Sequence, residues 1–269
     1  MFKKAWMFVP LFLYAGILSA EDVVMRVKQV TFENGGRSES VTAVSISGEK
    51  IRTDMEGESN YFIFRGDKEL MWIVDTDNQE YFEIDEETLE NMMAKINPAM
   101  EKMRRQLEAL AEEQRAMAEK MMEQRMKDAG MEQHAELTYN ATGQNKIIGE
   151  YPCTQWEVFR GSEKIEELWV TDWRNLEYRE ELETSFNALS EFVVSLQKAF
   201  QQFPMASDVS MPLDYSKRAE LNGIPVSTAH YENGEMTDKS TLQDIESRPL
   251  SADLFSPPGG YTQTRMQQN

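Results

Sequence analysis

Cys153 is the single cysteine in a chain of 269 residues. One thiol cannot form an internal disulfide, so noncovalent packing must hold the fold. Its setting, Gly149-Glu150-Tyr151-Pro152-Cys153-Thr154-Gln155-Trp156, contains no Lys, Arg or His to lower its pKa. That points to a buried, inert thiol rather than a nucleophile. Histidine is almost as scarce. His134 and His230 are the two, and neither belongs to a ligand spacing such as His-x-x-x-His, so no metal site is expected. Positive charge is short as well: 28 Lys and Arg stand against 47 Asp and Glu, a net −19. Such a charge repels phosphate backbones, which excludes nucleic acid as a partner, and it opposes adsorption to anionic head groups. Phosphate-loop, Gly-x-Ser-x-Gly and His-Glu-x-x-His patterns are all missing. Residues Asp75, Asp77, Gln79, Tyr81, Glu83 and Glu86 have calcium-loop spacing, but Glu80 occupies the position where that loop requires Gly. The chain therefore reads as a non-enzymatic protein with no cofactor.

What is present begins with an export signal. Lys3 and Lys4 precede an apolar run from Ala5 to Leu18, and Ser19-Ala20 is followed by Glu21-Asp22. This is the pattern of a secretory leader over residues 1–20, cleaved after Ala20, and it predicts a periplasmic protein. The apolar run falls short of the roughly 20 residues that a membrane span prefers. Removing the leader takes away Lys3 and Lys4 and no acid, so the mature chain is still more acidic. With 41% hydrophobic residues the remainder can bury a core and is not a disordered acidic polymer.

The first part of a β domain spans residues 21–85. Val23-Met25-Val27, Val41 to Ile46, Ile51 to Met55, Tyr61 to Phe64, Leu70 to Val74 and Tyr81 to Ile84 are strand-like. Short turns such as Ser47-Gly48-Glu49-Lys50 separate them, which predicts an antiparallel meander of hairpins. The period then changes. Asp85 is a helix cap, and Asn97-Pro98 is a second start signal. Residues 86–135 form a helical arm, with apolar positions Met93, Ile96, Met100, Met103, Leu107, Leu110, Met117 and Met121 spaced three and four apart. A helix from Pro98 to Ala129 would be ~48 Å long, so a reversal or a bend near Asn97-Pro98 is expected for the chain to return to the sheet. The second part of the β domain covers 136–261, with turns at Thr142-Gly143 and Arg160-Gly161-Ser162. It contains a helix over 185–203, stopped by Pro204. Phe186, Leu189, Phe192, Val193, Val194, Leu196, Phe200 and Phe203 give that helix a broad apolar face. Residues from Pro212 to Leu254 read as β, and 262–269 as a flexible tail. Gly149 to Gly161 and Gly223 to Gly234 share a spacing of turn glycine, proline, strand and hairpin glycine, as if one hairpin were built twice.

Nine of the 18 methionines fall between Met92 and Met131. Met is flexible and polarizable and forms adaptable apolar surfaces. Met100, Met103, Met117 and Met121 are thus candidate partner-binding residues, with self-packing of the arm and Cu(I) ligation as the other uses of such a stripe.

Several segments together resemble an uncharacterised family of exported bacterial proteins related to the outer-membrane lipoprotein carrier superfamily. They are Ser47 to Asp54, Trp72-Ile73-Val74-Asp75 with Tyr81-Phe82-Glu83, Ile148 to Cys153, Leu168 to Asp172, and Leu254-Phe255-Ser256-Pro257-Pro258-Gly259-Gly260-Tyr261. The resemblance implies an α+β fold in which a curved antiparallel sheet, an incomplete β-barrel, wraps a helix. Here a Met-rich arm is inserted, which the compact carriers lack. It further implies binding of an apolar small molecule, a lipid or an envelope protein. Trp72 on the sheet and Phe186, Leu189, Val193 and Phe200 on the helix are the candidate ligand contacts. A structural module that dimerises through the arm, with no ligand, is the alternative.

Overall fold

The computed structural model describes residues 21–33, 35–88, 137–201 and 221–264, with isolated helical positions at 91, 114, 115, 117 and 121. The described residues form one sheet of twelve strands. The first six are β1 (Val23–Glu33), β2 (Gly36–Ser47), β3 (Lys50–Met55), β4 (Asn60–Arg65), β5 (Leu70–Asp75) and β6 (Glu80–Ile84). The others are β7 (Leu137–Ile148), β8 (Tyr151–Arg160), β9 (Glu163–Asp172), β10 (Gly223–Glu232), β11 (Glu235–Ser247) and β12 (Thr262–Thr264). Helix α1 (Arg179–Gln201) connects β9 to the segment that leads into β10.

The meander is present as the alternation predicts. Each of β1 to β5 pairs antiparallel with the next. The order across the sheet is β12-β6-β5-β4-β3-β2-β1-β11-β10-β9-β8-β7. The sheet is curved and unclosed, an incomplete barrel with β12 and β7 at its edges. Two meanders therefore meet where β1 pairs with β11. The repeat in the sequence corresponds to two hairpins, β8–β9 and β10–β11, which lie side by side because β9 pairs with β10. Each hairpin carries a register shift shortly before its turn, at Val158/Phe159 and at His230/Tyr231.

Several boundaries differ from the sequence reading. Thr142-Gly143 is not a hairpin turn. β7 runs through it, with a register shift between Ala141 and Asn145, and Gly143 takes φ +76. The extra residues form a bulge, held where the Thr142 hydroxyl donates to the Gln155 side chain at 2.8 Å. Helix α1 starts at Arg179, six residues earlier than expected, behind Glu180 and Glu181 in its first turn. The segment expected to be a flexible tail begins with β12, which pairs with β6 in parallel, so the sheet is not wholly antiparallel. Asp85 does cap a helical start, accepting from the Thr88 backbone N–H at 2.7 Å. Most of the arm lies outside the described residues. Its two ends belong to strands ten steps apart in the sheet order, on the order of 48 Å along the sheet at ~4.8 Å per step. The insertion thus connects β6 to β7, at opposite ends of the strand order.

The core has three parts. Side chains alternate between faces along each strand. The largest cluster lies between the sheet and α1 and includes Val23, Ile46, Ile51, Phe64, Cys153, Trp169, Leu182, Phe192 and Leu196. A second cluster, Tyr61, Ile63, Trp72, Val74 and Phe255, occupies the opposite face of β4 and β5. A third, Val158, Leu168, Val170 and Leu221, occupies the opposite face of β8 and β9. Close approach fixes one glycine. A Cβ on Gly223 would stand 1.9 Å from the Thr171 carbonyl oxygen, inside any allowed contact.

Three neighbouring strands are tied by charge. His230 on β10 faces Glu166 on β9 and Asp238 on β11, at 3.1 Å from Nε2 and 2.7 Å from Nδ1. The hydrogen bond to Glu166, and then the one to Asp238, raise the imidazole pKa to about 9, against burial, which lowers it. At neutral pH the ring is an imidazolium donating to both carboxylates. Also near this group are Lys164, which reaches Glu157 and Glu167, and Glu163, which accepts from the Asn233 N–H.

Two outcomes are expected. Gly223→Ala lowers the urea midpoint, because the β9–β10 register must shift to admit the methyl group. The folded His230 binds its proton more tightly than the unfolded one, whose pKa is near 6.5. Its contribution to stability is therefore complete below that value and is lost as pH rises through about 9. Urea midpoints measured across that window should fall in the wild type, and His230→Gln should flatten the decline. An equal decline in the variant would assign it to other groups.

Candidate ligand-binding face

The registers of β1 to β6 define rows of side chains that cross the sheet. One row, Val23, Ile46, Ile51, Phe64, Met71 and Ile84, runs under α1. The helix sits close here because Gly66 has no side chain: a Cβ would come within 3.0 Å of the Cβ of Ala188. Phe192 meets Phe64 with ring centroids 5.3 Å apart. The Ser185 hydroxyl donates to the Gly48 carbonyl, which anchors the first half of the helix to the β2–β3 turn.

The next row on the same face is Met25, Val44, Thr53, Phe62, Ile73 and Phe82. Met25 is buried, whereas Val44, Thr53, Ile73 and Phe82 are half-buried. Phe62 is 47% exposed, and Met55, in the row beyond, is 37% exposed. The row next to the one under α1 is therefore only partly covered, with Phe62 its most exposed member. Phe62, Ile73 and Phe82 are consecutive cross-strand partners on β4, β5 and β6, a continuous apolar ladder. Its outer border carries Asn60, Asp75 and Glu80. Asp75 accepts from the backbone N–H and the side-chain amide of Asn78, at 3.0 and 2.8 Å, and these bonds hold its pKa below the usual carboxylate range.

The other face of the same strands is sealed. The segment from Arg248 to Tyr261 lies across it, with Phe255 only 1% exposed among Tyr61, Ile63, Trp72 and Val74. Arg52 and Arg65 donate to the carbonyls of Leu254 and Phe255 at 3.3 and 3.2 Å. The Arg52 guanidinium stacks 3.8 Å from the Tyr61 ring centre and pairs with Asp54. Asp22 accepts from the N–H groups of Leu250, through its side chain, and of Arg248, through its carbonyl. This segment is the close at Leu254 to Tyr261 that carried part of the family resemblance.

The structure separates the expected ligand contacts. Phe186 and Leu189 are half-buried on α1 and pack against the large cluster, and Phe186 meets Trp173 at 6.3 Å. Val193 is buried. The side chain of Phe200 lies outside the described residues. Trp72 is not with them: it belongs to the sealed face, where its indole N–H donates to Glu83 at 2.7 Å. Strand alternation puts it one residue out of phase with Met71 and Ile73. Among the partner candidates, Met117 and Met121 are 67% and 56% exposed at helical positions, and Met100 and Met103 lie outside the described residues. Phe62, Ile73 and Phe82 were not expected as a site. The signal for them is that Tyr61-Phe62-Ile63-Phe64 is apolar on both faces.

Cys153 is buried, and burial pushes its thiol pKa up. Nearby on β7, the Lys146 ammonium sits 3.7 Å from the Trp169 ring centre. Among the described residues no three His, Cys, Asp or Glu side chains are grouped to hold a metal ion, and no helix is long and apolar enough to cross a membrane.

No curated protein matches the sequence. Similar solved structures include PNGF-II, at 9% identity and a TM-score of 0.40, covering 91% of this chain but 31% of that one. A DUF1329 family protein from Desulfovibrio piger is 8% identical, with a TM-score of 0.31, over 88% of this chain and 90% of the other. A LolA superfamily protein from Nitrosomonas europaea is 9% identical, with a TM-score of 0.27 and the same two coverages, 88% and 90%. These likenesses are too distant to transfer any chemistry to this chain. The sequence model of the Domain of unknown function (DUF4412), in contrast, matches residues 90–261, well over half of the chain. The protein belongs to the DUF4412 family.

Proposed function

We propose that this protein is a periplasmic binding protein that holds an apolar, acyl-chain-like ligand against the helix-bearing face of its sheet and performs no chemistry on it. The observation that carries this reading is the ladder of Phe62, Ile73 and Phe82, with Phe62 exposed and the other two half-buried, beside a row that packs under α1. A chain that seals one face of these strands with its C-terminal segment, and leaves Phe62 exposed on the other, has a use for that second face. Phe186 and Leu189 are the residues of α1 that would add a second wall. They pack in the cluster of Phe64 and Met71, two positions along from Phe62 and Ile73. The resemblance to lipoprotein carriers and the leader-like first twenty residues support the same reading.

A second reading rests on Met117 and Met121. Both stand at helical positions, four residues apart in sequence, and both are exposed. In this reading the arm, with Met100 and Met103, binds an envelope partner or a second copy.

The test uses N-phenyl-1-naphthylamine, an uncharged apolar dye whose emission rises on transfer out of water. The purified mature protein should bind it. Phe62→Ser combined with Phe82→Ser should weaken binding by about tenfold or more. Because Phe62 is half open to solvent, Phe62→Ser alone should cost less than the ~3–5 kcal/mol of a buried Phe truncation. Unchanged dye affinity in the double variant would place the apolar site elsewhere. Loss of binding on Met117→Ser with Met121→Ser instead would favour the arm.

A further inference from the structure

The open ladder is also sorted by charge, and this restricts its ligand. Within β1 to β6 the basic side chains are Arg26, Lys28, Arg37, Lys50, Arg52 and Arg65. By strand register every one of them points to the face opposite α1. Their contacts agree. Arg26 pairs with Asp244 and Glu246, Lys28 and Arg37 with Glu39, and Arg52 and Arg65 reach the C-terminal segment. Lys50 lies over the Phe255 ring. The helix-bearing face of the same six strands carries apolar, hydroxyl and amide side chains, and its described charges are Asp75 and Glu80. The hydrogen bonds from Asn78 keep Asp75 ionised.

On the neighbouring strands, Lys146 is engaged by the Trp169 ring, and Lys164 is held by Glu157 at 3.4 Å and Glu167 at 3.8 Å. Among the described residues, an anionic head group on a ligand lying along Phe62, Ile73 and Phe82 would thus lose water without gaining a cation from the strands. It would also meet Asp75 and Glu80 at the border, in the field of a chain of net charge −19. Lipid-binding surfaces that take phosphate or carboxylate heads need the opposite arrangement.

We infer that this face selects an acyl chain whose head is uncharged, such as an ester-linked or amide-linked chain, and rejects free fatty acids and anionic phospholipids. The inference rests on the reading of the ladder as an apolar binding site, and the experiment separates the two. Monopalmitoylglycerol, palmitate and cetyltrimethylammonium share a chain length and differ in head charge. Each is titrated below its critical micelle concentration, at low ionic strength, against dye-loaded wild-type protein. The expected result is displacement by monopalmitoylglycerol at concentrations about tenfold or more below those needed for palmitate, with cetyltrimethylammonium no weaker than the glycerol ester. Met55→Lys, which puts a cation at an exposed position of this face, should narrow the gap by strengthening palmitate. Palmitate binding as tightly as the glycerol ester would overturn the selectivity and leave the site standing. Failure of all three, and of the dye, would overturn both.

Discussion

The pairing of β1 with β2 on one side and β11 on the other is the constraint on which the rest of the structure depends. Among the described strands no other pairing joins the two meanders into one sheet. β1 is buried on both faces at its start, with Val23 and Val24 at 0% and 1% exposure, as expected for a central strand. The residue before it, Asp22, binds the chain as it leaves β11, through the N–H groups of Arg248 and Leu250. From there the C-terminal segment runs over β3, β4 and β5 and ends as β12 beside β6. One strand therefore sets both the union of the halves and the path that seals the sheet's second face.

That sealing gives the first half of the sheet two different sides. On one, Arg52 and Arg65 hold backbone carbonyls of the C-terminal segment, and Phe255 fills the space between the aromatic residues beneath it. Burying a Phe to 1% exposure contributes roughly 1.5–3 kcal/mol by area. On the other side, α1 packs against the Phe64 row, anchored at Gly66 and the β2–β3 turn. The row of Phe62, Ile73 and Phe82 is the remainder.

Much of this was legible in the sequence. The meander followed from period-two alternation, and the hairpin turns from Gly, Asn and Asp at positions such as Gly48 and Asn233-Gly234, which take positive φ. The start of α1 was less legible. Residues 179–184 are mostly charged, and what makes them helical is the burial of Leu182 in the core. The bulge at Thr142-Gly143 looks like a turn locally, and only the pairing with β8 on both sides of it distinguishes the two. The site was partly hidden for a similar reason. Alternation places Phe62 and Phe64 on one face, but the sequence does not say which of the two the helix will cover. Trp72 was attractive as a large aromatic side chain near a family motif, yet its neighbours in the same strand put it on the sealed face.

The central claim is that the helix-bearing face of β4 to β6, and not its reverse, receives the ligand. Methyl NMR addresses it directly, because Ile73 lies on the open ladder while Ile63, fully buried, lies on the sealed face. Addition of monopalmitoylglycerol to the mature protein should shift the Ile73 and Met55 methyl signals and leave Ile63 in place. Movement of Ile63 without Ile73, or a saturable binding curve in which neither Ile73 nor Met55 moves, would contradict the account.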